Sequence, residues 1–282
     1  MLTLLFYEPE TDVPTGSAAL EDALALVGVA LDGASGDAYR PGRWHDPVTG
    51  ARAVIDLGTP ELEGDEDPHP PTAYAGWRAL PLSVQIPLAG PHWQAVEALT
   101  MVERLLAALP GVLALDTEDT RADDDADSAP YAWSRPRRIA HWEVLRTAQA
   151  LDVPRLDRGQ SLFLWRWRRE RASAAVTHPD LIWPEALVVL DRTEGRARTA
   201  TLLPEGDGPL ALPPVDLVVV RRSDGVGCLA ADALREAGGT PVPLPAGACR
   251  IERGEAAVQF LATSPLLPVA RFAGLLDEDW QD

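Results

Sequence analysis

The 282-residue sequence contains no lysine and no asparagine, so all 25 of its cationic residues are arginines. Without lysine there is no amine nucleophile, no Schiff-base former and no phosphate-loop lysine, and those chemistries are excluded outright. Both missing residues have AT-rich codons, and the abundant Ala, Arg, Gly and Pro point to a GC-rich genome as the cause. Cysteine is scarce. Cys228 and Cys249 are too few for a disulfide framework and lack the CxxC spacing of a redox or zinc motif. Positive charge is in deficit, with 43 acids against those 25 arginines and a formal net charge of −18. Such a field repels phosphate and argues against non-specific binding to nucleic acid or an anionic membrane. Long apolar runs are missing too. The longest, such as Leu105–Leu115, fall short of the ~18 residues a membrane helix needs. The opening stretch MLTLLFYEPE has no basic n-region and turns acidic at Glu8, unlike a signal peptide, so the expected location is cytoplasmic.

Catalytic signatures are equally thin. His45, His69, His92, His141 and His178 form no HxH, HExxH or Cys/His cluster, so no zinc site is indicated. No G-x-S-x-G elbow nominates a nucleophile, although the members of a Ser/His/Asp triad would meet only in space. The acidic run from Asp123 to Asp127 fails as a calcium loop. An EF-hand starting at Asp123 requires glycine and glutamate where Ser128 and Ser134 stand. No cofactor is expected.

What is present is the composition of a globular protein, 46% hydrophobic and 24% charged. Its length fits one large or two ordinary domains. Residues 1–120 read as one of them. Leu2–Tyr7 is a buried-strand run, and Leu20, Leu24, Val27 and Leu31 recur at helical spacing behind a Thr15-Gly16-Ser17 cap, with Gly33 as the stop. Pro47-Val48-Thr49-Gly50 is a turn signature joining a hairpin, and residues 58–71 form a Pro- and acid-rich loop. Leu82–Ile86 alternates as a strand. Trp93, Val96, Leu99, Val102, Leu105 and Leu109 make one apolar helical stripe stopped by Pro110-Gly111, and Val112–Leu115 is a closing strand. This order predicts an α+β domain of the ferredoxin-like, split βαβ type, with an open α/β sandwich of other topology as the alternative. Residues 121–135, within the acidic stretch that begins at Glu118, form a linker. Residues 136–282 form a sheet-rich mixed α/β domain. It starts with a helix from Pro136 to Leu151. Strands follow at Ser161–Arg171, Ala186–Leu190, Ala197–Leu203, Val215–Val220, Thr240–Leu244, Cys249–Glu252 and Ala257–Leu261. A helix spans Cys228–Ala237, and an amphipathic tail runs from Ala270 to Trp280.

Charge is segregated along the chain. Residues 135–171 hold ten arginines against four acids, directly after the most acidic stretch. Within this island SLFLWRWRRER places Phe163, Trp165 and Trp167 on one face of a strand, with Arg166 and Arg168 on the other. Arg169, Arg137, Arg138 and Trp133 extend the same chemistry. Trp and Arg dominate interface hot spots, so these eight residues, Trp133, Arg137, Arg138, Trp165, Arg166, Trp167, Arg168 and Arg169, are the candidate binding surface. The alternative is structural: the aromatic face enters the core and the arginines pair with the protein's own carboxylates.

Gly225-Val226-Gly227-Cys228-Leu229-Ala230 follows a strand and matches G-x-G-x-x-A. This turn would place backbone N–H groups at a helix start, where they could face a pyrophosphate. Arg221–Asp224 lengthen the turn, and no acid follows the next strand to take a ribose hydroxyl. Nine tryptophans against four phenylalanines are spread over both halves as core or inter-domain anchors. Trp133 and Trp280, in polar contexts, stand out as exposed or interface rings. Together these features predict a non-enzymatic cytoplasmic interaction protein whose partner is another protein. A phosphate-ligand protein using the Gly225–Ala230 turn is one alternative. An acidic antagonist that mimics nucleic acid is the other.

Overall fold

A computed structural model describes residues 1–58, 74–117, 132–149, 152–206, 208–240 and 244–282. The expected loop at 58–71 and the acidic run at 118–130 lie almost wholly outside the described residues. Two compact units emerge, residues 1–88 with 93–151 and residues 89–92 with 152–282, each mixed α+β.

In the first unit, β1 (Leu2–Pro9), β2 (Ala30–Leu31), β3 (Tyr39–His45), β4 (Arg52–Gly58), β5 (Trp77–Ile86) and β6 (Leu113–Asp116) form one antiparallel sheet in the order β2-β3-β4-β5-β1-β6. Alternation decides which face is covered. Leu2, Leu4 and Phe6 of β1, Ile55 of β4, and Leu82, Val84 and Ile86 of β5 are buried. They meet Leu20 and Leu24 of α1 (Ser17–Leu26) and Ala95, Leu99, Val102 and Leu105 of α2 (His92–Ala108) in one core. Helix α1 is shorter than its leucine spacing implies. Gly28 takes φ 83°, the chain turns there, and Leu31 falls in β2. The β3–β4 hairpin forms as its turn residues predict, and Asp46 Oδ1 accepts the N–H groups of Val48 (2.9 Å) and Thr49 (2.7 Å). Helix α3 (Arg135–Ala148) packs with this unit. Trp142 is wholly buried in its core and donates Nε1–H to the Pro87 carbonyl at 2.8 Å. The division between units therefore falls after residue 151, whereas the sequence places it ahead of α3.

In the second unit, α4 (Arg158–Thr177) precedes β7 (Ala186–Asp191), β8 (Arg196–Leu202), β9 (Leu210–Leu212), β10 (Leu217–Arg222) and β11 (Gly225–Ala230). Then come α5 (Ala231–Gly238), β12 (Gly239–Thr240), β13 (Cys249–Ile251), α6 (Glu255–Thr263), β14 (Leu267–Pro268) and β15 (Phe272–Leu275). The main sheet runs β14-β11-β10-β8-β7-β15, antiparallel except for the β8–β10 pair, and β12-β13-β9 is a small second sheet. Six flat strands would set the two edges about 24 Å apart. Yet only residues 269–271 link edge strand β14 to edge strand β15. The four Cα steps from Pro268 to Phe272 reach about 15 Å at most, so the sheet must coil until its edges approach.

Four local expectations are overturned here. Ser161–Arg171 is helical, inside α4, because Asp157 caps it and the buried positions recur at three- and seven-residue spacing. Gly225–Ala230 is a strand, and the helix starts only at Ala231. Ala257–Leu261 lies in helix α6, which begins at Glu255 behind the Gly254 cap position. The tail contributes β15 flanked by short 3₁₀ turns, and Trp280, expected as an exposed or interface ring, is completely buried.

Candidate interaction surface

Helix α4 sorts the island's side chains by helical period. Asp157 accepts the N–H groups of Gly159 (2.8 Å) and Gln160 (3.2 Å), satisfying donors that a helix start leaves orphaned. The inward face then carries Ser161, Leu164, Trp167 and Ala174, all buried. Trp167, 1% exposed, donates Nε1–H to the Pro184 carbonyl at 3.0 Å, and its ring lies 5.4 Å from that of Trp183. Beside it Arg168 grips Asp277 with both terminal nitrogens, at 2.6 and 3.1 Å. Arg171 reaches Glu185 at 3.1 Å. The Arg168–Asp277 contact is the bidentate, partly buried pairing to which a guanidinium is suited.

The opposite face is solvent-exposed. Leu162 and Phe163 are 41% and 40% exposed, and Arg166, Arg169 and Glu170 are exposed with them. The Arg169 guanidinium sits 5.3 Å over the ring of half-buried Trp165. Where α4 meets β7, β8 and residues 213–215, Phe163, Leu164, Trp167, Pro213, Pro214 and Val215 line a recess of about 190 Å³, its open mouth included. Most of that is open solvent; the enclosed part is about 10 Å³, room for one water molecule and for neither a side chain nor a nucleotide.

Of the eight candidate residues, then, Trp165, Arg166 and Arg169 lie on or beside the outward face of α4, while Trp167 and Arg168 are inside. Trp133, Arg137 and Arg138 belong to the first unit. Trp133 is half-buried with Nε1 3.4 Å from Glu103, and Arg137 is half-buried. Arg138 is 1% exposed with Nη1 3.7 Å from Asp116 Oδ2, the oxygen that His141 Nδ1 also meets. Asp116 carries no exposed side chain, so two cationic or hydrogen-bonding partners from α3 offset the cost of burying its carboxylate.

The glycine motif serves packing. Arg222 pairs with Gly225, so Ser223-Asp224 is the loop of a β10–β11 hairpin. A Cβ on Gly227 would lie 2.6 Å from Leu266 Cβ and 2.9 Å from the Leu267 carbonyl oxygen, so only glycine lets β14 approach β11. The β11 backbone is committed to its ladders, and the strand-to-helix turn needed to cradle a phosphate is not formed.

Two polar clusters escaped the sequence reading because their members are distant in the chain. Asp191 is fully buried and is held by Arg271 (Nε 2.8 Å, Nη2 2.7 Å), Arg198 (3.1 Å) and the N–H groups of Thr193 and Glu194. Its hydrogen bond to Arg271 above all keeps its carboxyl well below the usual carboxylate range. Asp56 accepts from Tyr39 Oη (2.6 Å), Gln85 (3.0 Å) and Ser83 (3.3 Å), and this hydrogen bond pushes the Tyr39 phenol up to about 12. Among the described residues no cluster of three His, Cys, Asp or Glu side chains is placed to hold a metal ion, and no helix is long and apolar enough to cross a membrane. Compared with protein-family models, curated proteins and solved structures, the chain matches none.

Proposed function

We propose that the protein is a non-catalytic interaction module that docks another protein, as adaptor, regulator or assembly subunit, through the outward face of α4. The observation that carries this reading is the division of labour on that helix. Five arginines stand against one glutamate along α4. Arg168 and Arg171 meet carboxylates of this chain and Arg169 lies over the Trp165 ring, while Arg166 is exposed beside exposed Leu162 and Phe163. An exposed patch mixing apolar side chains and arginine has the composition of an interface core rather than of an average charged surface. The strand order β4-β5-β1-β6, with α1 and α2 on one face, supports a ferredoxin-like core in the first unit, extended by β2 and β3. That architecture hosts many functions, so the argument rests on α4 alone.

The test purifies tagged full-length protein from its native lysate beside the Arg166→Glu/Arg169→Glu variant. A stoichiometric partner is expected with the wild type and is lost from the variant while the melting temperature stays unchanged. Absence of any stoichiometric partner, or its full retention by the variant, refutes the reading.

A further inference from the structure

We propose that the turn between β7 and β8 binds a phosphate group through Arg196, Arg198 and Arg271. The site is independent of α4 and of the reading given to that helix. Three guanidiniums converge there on one carboxylate. Glu194 Oε2 meets Arg196 Nε at 2.6 Å and Arg198 Nη2 at 2.7 Å, and Glu194 Oε1 meets Arg271 Nη2 at 3.1 Å. Behind them, buried Asp191 takes Arg198 Nε and both Nε and Nη2 of Arg271. A fourth arginine, Arg192, is exposed beside them and donates to the Ala270 carbonyl at 3.3 Å. Four arginines against these two acids leave a local charge of 4 − 2 = +2, the reverse of the balance in a chain with 43 acids and 25 arginines.

A phosphate monoester carries about −1.5 to −2 near neutral pH and presents three acceptor oxygens, so it offsets this excess where a single carboxylate would offset half. Donors remain to bind it. Among the described residues, both Nη groups of Arg196 and the Nη1 groups of Arg198 and Arg271 meet no acceptor, while the other nitrogens of these arginines are committed to Asp191 and Glu194. Arg196 is 57% exposed, so an anion can reach it. Arg198 and Arg271 are held in place from behind by Asp191, and Arg271 also lies 5.5 Å over the Phe272 ring. Binding therefore orders few side chains that are not already ordered. Glu194 stands where an anion would stand and competes with it. The acidity of the whole chain does not oppose binding at close range, because charges beyond about 8 Å are largely screened at physiological salt.

The test follows the arginine Nε–H signals of isotope-labelled full-length protein by NMR during titration with inorganic phosphate, against sodium chloride at matched ionic strength. A second titration uses a short phosphoserine peptide beside its serine twin. The Arg196, Arg198 and Arg271 signals are expected to shift saturably with phosphate and not with chloride. Glu194→Gln removes the competing charge and should tighten phosphate binding about threefold. Arg196→Ala, at an exposed position, should weaken it about fivefold without moving the melting temperature. Tighter binding of the phosphopeptide than of inorganic phosphate assigns the anion to a phosphorylated partner protein, and equal or weaker binding assigns it to free phosphate. No saturable shift at the three arginines, an equal response to chloride or to the serine twin, or an affinity unchanged in both variants overturns the site.

Discussion

Replacing Trp165 and Trp167 separately by alanine tests the central structural claim, that the Arg/Trp segment is a helix with an inward and an outward face. On a strand the two rings would share one face and their loss would cost about the same. On α4 they are unequal. Trp167 is 1% exposed, and a tryptophan buries roughly 150–250 Å², worth about 4–6 kcal/mol at 25 cal/mol per Å² as an upper bound. Its hydrogen bond to Pro184 and its ring contact with Trp183 are lost with it, and buried Trp→Ala changes cost about 3–5 kcal/mol. Trp165 is half-buried and contributes part of that area and its stacking with Arg169, about 1–2 kcal/mol together. For a unit of this size 1 kcal/mol moves the melting temperature by about 3–5 °C. Trp167→Ala should then lower it by more than about 10 °C, and Trp165→Ala by roughly 5 °C. Differential scanning calorimetry on the full chain reads both. Two units can give two transitions, and only the one belonging to residues 152–282 should move. Equal shifts for the two variants, or a Trp167→Ala shift smaller than that of Trp165→Ala, would refute the facial assignment and the docking surface built on it.

Two further outcomes follow from the buried interactions. The depressed Asp191 carboxyl binds its proton less readily folded than unfolded, so its stabilisation is present above the unfolded value of about 3.9 and is lost as pH falls below it. Urea melts across the acid range should show a steep loss of stability in wild type that is shallower in Asp191→Asn, and identical slopes would remove Asp191 from the account. Gly227→Ala places a methyl group 2.6 Å from Leu266 Cβ and should destabilise by about 1–3 kcal/mol in chemical denaturation, whereas Gly254→Ala, with open space around it, should stay within about 0.5 kcal/mol.

How much of this was legible in the sequence depends on how local each signal is. The β3–β4 hairpin was, because Pro47–Gly50 carries its own turn chemistry. Helix α2 was legible as well, since its stripe runs over several turns and ends at Pro110-Gly111. The α4 segment misled because Phe163, Trp165 and Trp167 alternate over a window too short to separate a period of 2 from one of 3.6. The deciding residues lie outside that window, Asp157 as cap and Ala174 as the continuation of the buried stripe. Helix α6 failed for the same reason, as Ala257–Leu261 is a short apolar run that either element can bury. The glycines of β11 matched a phosphate-binding pattern although their cause is close strand packing, a contact with Leu266 that no local window contains.

The arginine bookkeeping is what makes the outward face of α4 informative. A chain with a net charge of −18 has carboxylates to spare, so an arginine on such a chain should find one. Many do: Arg78 binds Glu8, Arg271 and Arg198 share Asp191, Arg168 forks onto Asp277, and Arg171 meets Glu185. Each pairing places the guanidinium against a carboxylate from another element or a distant stretch of chain, which suits a planar, rigid fork of donors. Arg166 stands on the solvent side of α4 and Arg169 lies over the Trp165 ring, and apolar Leu162 and Phe163 are exposed next to them. Solubility alone would be served better by acids at those positions. On the docking reading proposed above, this exposed face is the surface that a partner protein would cover.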